Sequence, residues 1–254
     1  MHWILVLLMT SAAVTAEPTP LRVGMDLSYP PFETIAPDGR PEGVSVDLAD
    51  ALADYLGRPV VIDNMPFTGL IPALRSGKID LIISSMTATA ERAKSVAFSD
   101  PYITTGLAAL VPKSAGVDDL ASLDEPGRTV VVRQGTTGEV FARANLKQAR
   151  VLVLEKENAC VLEVVQGKAD AFIYDQMSVF QNARRHPDTT RALLAPLQAE
   201  AWAVALRLGD ETLRSEVNAF FADFRAGGGF DRLAERYLAE EKKAFSAQGI
   251  PFLF

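Results

Sequence analysis

Two ten-residue segments of similar sequence indicate the fold class of this chain. Residues 74–83 read Leu-Arg-Ser-Gly-Lys-Ile-Asp-Leu-Ile-Ile, and residues 164–173 read Val-Val-Gln-Gly-Lys-Ala-Asp-Ala-Phe-Ile. In each segment a helix end is followed by a glycine, a lysine, an aspartate and an apolar run typical of a buried strand. Turns between helices and strands favour Gly and Lys in general. The similarity therefore indicates matching positions in two halves, and not by itself a common origin.

Outward from these segments, apolar strand-like runs alternate with amphipathic helical runs. This alternation predicts an α/β fold with parallel sheets. We expect a helix over residues 46–56 that is capped by Ser45, and an apolar strand over residues 201–208. The expected strands of the two halves are residues 21–25, 60–62 and 79–83, then 129–132, 151–154 and 171–174.

Polar side chains follow the strand in both repeated segments. Ser84 and Ser85 end the first strand, and Tyr174 and Asp175 end the second. In open α/β sheets, ligands bind beyond the carboxyl ends of the strands. Two facing sheets would therefore bring both polar ends to one crevice.

Composition and charge exclude several partners and kinds of site. The net charge of −7, with no basic tract, argues against nucleic acid or an anionic membrane as partner. The single cysteine, Cys160, cannot form an internal disulfide and is expected to be a buried structural thiol. No Cys/His cluster, calcium loop or phosphate-binding Gly-Lys-Thr motif occurs in the sequence, so we expect no metal and no other cofactor.

Residues 1–16 are predicted to be a cleaved signal peptide. Ile4–Met9 is a short apolar run, and Val14-Thr15-Ala16 fits a cleavage site of small residues. The run is too short to span a membrane as a helix. The segment before it departs from the usual pattern, since it has no Lys or Arg. We expect the remaining chain to be released into the periplasm.

Several residues near the expected strand ends suit a zwitterionic ligand. A carboxylate favours an Arg and backbone N–H donors, an ammonium favours a carboxylate, and an apolar or cationic stem favours an aromatic wall. Arg92 in a Thr-rich turn, the helix start at Gly135–Gly138 and the strand-end Asp175 meet the first two needs. Tyr29 and Phe67, expected in loops beside prolines, meet the third. Each feature alone also fits an ordinary turn or surface residue.

The order and spacing of these residues resemble the polar-amino-acid-binding proteins of ATP-driven importers. That group includes the histidine-, lysine/arginine/ornithine- and glutamine-binding proteins. The resemblance covers nearly all of residues 21–243, and its most specific parts are Phe67–Leu74, Gly77–Asp80, Thr87 with Glu91-Arg92, and Phe98–Tyr102.

This resemblance implies a two-lobed periplasmic-binding-protein fold of type II. Each lobe is a mixed β-sheet flanked by helices, and two hinge strands, near residues 104–108 and 197–201, join the lobes. Lobe 1 would be discontinuous, made of residues 21–105 and 198–254, and lobe 2 would be residues 106–197.

The resemblance also implies how each end of an amino acid is bound. Arg92 and Thr87 hold the ligand carboxylate, with the Thr137 amide donating from the opposite lobe. The Ser85 carbonyl and Asp175 take the ammonium. The aromatic residues enclose the side chain. The full set of expected ligand-binding residues is Asp26, Tyr29, Phe67, Ser84, Ser85, Thr87, Arg92, Thr136, Thr137 and Asp175.

Asp26 falls where relatives recognise the polar or cationic end of the ligand side chain. An unpaired buried carboxylate is costly, so a cationic or amide-bearing end would satisfy it. An aspartate that caps its own loop is the alternative. The first interpretation predicts a preference for Arg, Lys, ornithine, His or Gln over aliphatic amino acids.

The expected function is therefore to bind a polar or cationic L-amino acid and deliver it, as a monomer, to an ABC transporter permease. Two alternatives remain. Residues 141–150, Gly167–Asp170 and His186-Pro187 resemble cyclohexadienyl dehydratases, but that family places a Glu where this chain has Ser178, whose hydroxyl is a poor acid for elimination. We therefore expect no enzyme activity and no catalytic residue. The second alternative is a free ligand-bound messenger for a sensory receptor.

Overall fold

The structure is a computed structural model that describes residues 18–247, 249–251 and 254. The predicted signal peptide lies outside the described residues. The strands are β1 (Leu21–Met25), β2 (Thr34–Ile35), β3 (Pro41–Glu42), β4 (Val60–Asn64), β5 (Leu81–Ile82), β6 (Ala97–Phe98), β7 (Ile103–Pro112), β8 (Thr129–Arg133), β9 (Arg150–Leu154), β10 (Ala171–Asp175), β11 (Thr190–Trp202) and β12 (Ala205–Leu206). The helices are α1 (Val44–Leu56), α2 (Phe67–Arg75), α3 (Leu120–Leu123), α4 (Thr137–Asn145), α5 (Glu157–Val165), α6 (Gln176–Arg185), α7 (Glu211–Ala226), α8 (Gly229–Tyr237) and α9 (Ala239–Ala247), with a 3₁₀ turn at Arg92–Lys94.

The chain forms two lobes, each built on a mixed five-stranded sheet. The first sheet has the order β4-β1-β5-β12-β6, and the second has the order β11-β7-β10-β8-β9. In each sheet three neighbouring strands are parallel, β4-β1-β5 in the first and β10-β8-β9 in the second, and the pairings of the other two strands are antiparallel. This is the two-lobed α/β architecture with mixed sheets that the resemblance implies, whereas the alternation of strands and helices alone predicted parallel sheets.

Two long antiparallel strands, β7 and β11, run between the lobes. They pair from Ile103 with Trp202 onward, and a register shift interrupts the pairing between Leu193 and Gln198. At the lobe 1 end, Trp202 also bridges to Thr87 of the first lobe. Residues on this part of β11 therefore lie beside both lobes.

The two repeated segments occupy matching positions in the two sheets. The glycine of each has a positive φ, 75° and 67°. Asp80 accepts a hydrogen bond from the Arg22 amide at 3.0 Å, and Asp170 accepts one from the Thr129 amide at 2.8 Å. Each aspartate thus fastens its strand to the start of the neighbouring parallel strand. Beyond these strands, Ser84 and Asp175 come to the same side of the molecule, at the cleft between the lobes.

The prediction that Ser45 caps the first helix is wrong. Helix α1 begins at Val44, after Gly43, whose φ is 124°. A Cβ at Gly43 would lie 2.3 Å from the Phe32 carbonyl oxygen, so the chain needs glycine there. The Ser45 hydroxyl is buried and donates instead to Glu33 at 2.6 Å.

Two other local predictions differ from the structure. The strand expected over residues 201–208 is interrupted, because the amides of Ala203 and Val204 bond to the Met86 carbonyl and the Ser99 hydroxyl rather than to a neighbouring strand. Phe67, expected in a loop, is the first residue of α2. Because its amide is one of the free donors at a helix start, it can bond to the Asp26 carboxylate, at 3.1 Å.

Candidate functional site

All ten residues that were expected to bind a ligand line one cavity between the lobes. The cavity measures about 30 Å³, which is room for about one water molecule. The lobes are therefore closed on each other. Six further residues complete the lining, namely Glu33, Leu107, Arg133, Tyr174, Glu200 and Trp202.

Arg92 reaches across the cleft from lobe 1. Its Nη1 donates to the Thr87 carbonyl at 2.7 Å, and its Nη2 donates to the Gly135 carbonyl of lobe 2 at 3.1 Å. The guanidinium lies 5.4 Å from the centre of the Phe67 ring. The Thr89 hydroxyl accepts the Arg92 amide at 3.2 Å and so fixes the turn that carries it. A cation is thus held beside the start of α4.

The start of helix α4 faces this cation from lobe 2. Thr136 precedes the helix, and its hydroxyl donates to the Arg133 carbonyl at 2.7 Å. A Cβ at Gly138 would lie 2.6 Å from the Ile173 carbonyl oxygen, so only glycine lets the helix approach strand β10 this closely. A helix N-terminus favours anions through its free N–H groups. Together with Arg92, it suits a carboxylate.

Asp175 is held in place by its own helix and by lobe 1. Its Oδ1 accepts the amides of Met177 and Ser178, both at 3.0 Å, and so caps α6. The same atom accepts the Tyr29 hydroxyl at 2.6 Å across the cleft. Burial raises the pKa of Asp175. A ligand ammonium would supply the positive charge that this buried carboxylate lacks.

Glu33 is a buried carboxyl that the sequence analysis did not identify. It is 1% exposed and accepts the hydroxyls of Ser45, Ser85 and Ser84 at 2.6, 3.1 and 3.3 Å. Burial raises the pKa of Glu33 to about 8, against the opposing effect of these hydrogen bonds. At neutral pH it is largely protonated, so it adds little negative charge to the cleft.

Glu200, on strand β11, is a second carboxyl that the sequence analysis missed. Its Oε2 accepts the Thr87 hydroxyl of lobe 1 at 3.1 Å. Its Oε1 is buried without a hydrogen-bond partner among the described residues. Burial raises the pKa of Glu200. This residue links the hinge strand to lobe 1 at the point where the ligand carboxylate is expected.

Arg133 places a cation of the chain itself on Asp26. Its Nη2 forms a short ion pair with Asp26 Oδ2, while its Nη1 donates to the Tyr174 hydroxyl at 3.2 Å and its Nε to the Glu155 carbonyl at 3.3 Å. Asp26 Oδ1 accepts the Ser28 hydroxyl at 2.7 Å. The expectation of an unpaired Asp26 is therefore wrong in this closed arrangement.

Arg133, Glu33 and Glu200 were not predicted as site residues, and they differ in how strong a signal the sequence contains for each. Arg133 ends β8 as Asp175 ends β10, so the rule that ligands bind beyond the carboxyl ends of strands also points to it. Glu33 follows an apolar turn and Glu200 lies inside a thirteen-residue strand. Neither position carries a local signal, because only the folded chain brings them to the cleft.

Ser178, at the position of the expected dehydratase acid, lies beside another carboxyl. Its hydroxyl donates to Glu157 Oε1 at 2.6 Å. Burial raises the pKa of Glu157 to about 7. Glu157 lines an outer cavity of about 480 Å³ that adjoins the cleft, and it is absent from the lining of the inner one.

Over the described part of the chain, no helix combines the length and the apolar character needed to cross a membrane.

Comparison with known proteins places the chain in one group by sequence and by structure. It matches the family of bacterial extracellular solute-binding proteins, family 3, over residues 21–240. It is 31% identical to the L-arginine-binding protein of Pseudomonas aeruginosa over 245 residues, 92% of this chain and 94% of that protein. It is 34% identical to the cyclohexadienyl dehydratase of the same species over 170 residues, 66% of this chain and 63% of that enzyme. The solved structure of an ancestral arginine-binding protein bound to arginine has a TM-score of 0.82 against this fold. The two chains are 31% identical, and the match covers 88% of this chain and 100% of that chain.

Proposed function

Because the chain belongs to family 3 of the bacterial extracellular solute-binding proteins, we propose that it binds a polar or cationic L-amino acid between its lobes and delivers it to the permease of an ABC transporter. The observation that carries the proposal is the meeting of Arg92, the start of α4 and Asp175 in one cavity. These groups offer a cation and free N–H donors at one end and a carboxylate at the other. The names of the arginine-binding relatives support the same class of ligand.

The closed cleft implies a binding cycle in which the lobes move. A cavity of about 30 Å³ cannot hold an amino acid, so the lobes separate before a ligand enters. The ligand first meets Arg92, Thr87 and the aromatic residues of lobe 1. Closure then adds the start of α4 and Asp175 from lobe 2. We propose that the exported monomer reaches the periplasm after removal of its signal peptide, and that its closed form docks on the permease.

Replacing Arg92 tests the proposed binding mode. A thermal-shift screen across the amino acids identifies the ligand, since binding to the folded state raises the unfolding midpoint. Titration calorimetry of Arg92→Met should then show affinity about 10 to 100 times weaker, because a charge-assisted contact to the carboxylate is lost. Arg143→Met is the matched control, since the Arg143 side chain is 59% exposed on α4 and pairs with its helix neighbour Glu139. Equal affinity in wild type and Arg92→Met would contradict the assigned role.

We also propose that the chain is a binding protein and not an enzyme. The partial similarity to a cyclohexadienyl dehydratase is the observation that favours an enzyme instead. Ser178 is a weak proton donor, and its hydroxyl is already bonded to Glu157. Incubation with prephenate should therefore leave its concentration unchanged, and clear turnover would overrule this part of the proposal.

A further inference from the structure

We infer that Arg133 is a specificity-determining residue that neutralises Asp26, so that the side-chain end of the ligand is neutral and polar rather than cationic. The inference rests on the proposed function and narrows it. The candidate class is an amino acid with an amide or urea group at the end of its side chain.

The hydrogen-bonding capacity of Asp26 is largely used by the protein. Oδ1 accepts the Ser28 hydroxyl, and Oδ2 accepts the Phe67 amide and the guanidinium of Arg133. The Asp26 amide also donates to the Ser84 hydroxyl at 2.9 Å, which fixes the backbone beneath the carboxylate. Asp26 is therefore not the unpaired carboxylate that a cationic side chain would be needed to satisfy.

Arg133 is held firmly in lobe 2. The residue is 5% exposed, and its guanidinium donates to Tyr174 and Glu155 of the same lobe while lying 5.8 Å from the centre of the Phe67 ring. A cationic side chain that paired with Asp26 in the open form would leave this guanidinium buried without that counter-ion once the lobes close. Breaking a buried ion pair in this way is unfavourable.

Charge also distinguishes the two kinds of ligand. With the pair intact, a second guanidinium or ammonium at this end would lie beside Arg133 and be repelled by it. A neutral amide or urea avoids that repulsion. Its carbonyl oxygen can accept a hydrogen bond from Arg133, because the Nη1 atom has two hydrogens and donates one of them to Tyr174.

The pair stands at the boundary of two cavities. Asp26, Phe67 and Arg133 line both the inner cleft and the outer cavity of about 480 Å³. A side chain that extends from the ammonium and carboxylate end therefore meets Arg133 before it reaches the outer space. This position allows one residue to select by charge.

L-citrulline and L-arginine form the matched pair of ligands for the test, because they differ mainly in a neutral urea and a charged guanidinium. Titration calorimetry of the wild type should show citrulline binding at least about tenfold tighter than arginine. In Arg133→Met, Asp26 loses its counter-ion and the order should reverse in favour of arginine. Arg133→Lys keeps the charge and should keep the wild-type order, as should the control Arg143→Met.

Tighter binding of arginine than of citrulline by the wild type would overturn the inference, and so would an unchanged ratio in a folded Arg133→Met protein. Should Arg133→Met fail to fold, the wild-type order and that of Arg133→Lys decide. Absence of binding by any amino acid would instead overturn the proposed function, so the two failures are distinguishable.

Discussion

At the scale of single residues, the cleft contains a matched pair of charges and a buried carboxyl that is kept neutral. Asp26 is paired with Arg133, whereas Glu33 has three hydroxyls around it and no ion pair within the described part of the chain. Hydroxyl donors reduce the cost of burying a charge only in part, so Glu33 keeps its proton at pH values where an exposed glutamate is ionised. The negative charge near the ammonium end thus comes mainly from Asp175.

Glu33→Gln should remove one source of pH dependence from folding stability. The pKa of Glu33 rises from its ordinary value of 4.5 to about 8 in the folded state. Between these values the unfolded chain has lost the proton that the folded chain keeps, so wild-type stability falls by about 1.4 kcal/mol per pH unit from this group. The stability of Glu33→Gln relative to wild type should therefore rise from pH 5 to pH 8.

Urea unfolding at several pH values measures this difference. Glu216→Gln, at an exposed position, is the control and should differ from wild type by a constant amount. A constant offset for Glu33→Gln as well would show that the carboxyl is ionised in the folded protein.

At the scale of elements, the sequence predicted the features that recur in the two halves. It did not predict the start of α1, which depends on a close approach of two backbone segments. The matching Gly-Lys-x-Asp segments identified two strands and the polar residues that follow them, because strand ends in such sheets share an edge. Ser45 looked like a cap because its type favours that role. The contact that excludes any Cβ at Gly43 is with a residue eleven positions earlier, and only the fold reveals it.

Asp175 belongs both to a helix and to the site, and two substitutions separate these roles. Asparagine is also a good cap, so Asp175→Asn should keep the stability of α6 while losing the charge that binds an ammonium. Asp175→Ala should lose both, with a cost of about 1 kcal/mol in the free energy of unfolding. Chemical denaturation and titration calorimetry on the two variants check this. Full ligand affinity in Asp175→Asn would argue against ammonium binding at this residue.

At the scale of the whole molecule, contacts between the lobes hold the closed arrangement of the cleft. Arg133 with Asp26, Tyr29 with Asp175, and Arg92 with the Gly135 carbonyl all cross it. The α/β class was predictable from alternating strands and helices, and the two lobes were implied by the resemblance to binding proteins. These crossing contacts were not, because they join residues more than forty positions apart in sequence.

Tyr29→Phe should weaken closure while it keeps the aromatic ring. The variant loses the 2.6 Å hydrogen bond to Asp175, so its closed form should be less favoured and its ligand affinity about 3 to 10 times lower. Small-angle X-ray scattering should show the radius of gyration falling when the wild type binds its ligand, and falling less at the same ligand concentration in the variant. Identical scattering curves with and without saturating ligand would rule out lobe closure.

Trp202 gives the chain an optical reporter at its hinge. Its indole is 2% exposed, packs edge-on against Phe32 at 5.0 Å between ring centres and lies at the cleft. The sequence contains one other tryptophan, Trp3, within the predicted signal peptide. The processed chain would therefore emit from one indole, which sits where β11 meets both lobes. Opening of the cleft changes the surroundings of that indole, so the intrinsic fluorescence of the unlabelled protein follows the motion that the binding cycle requires.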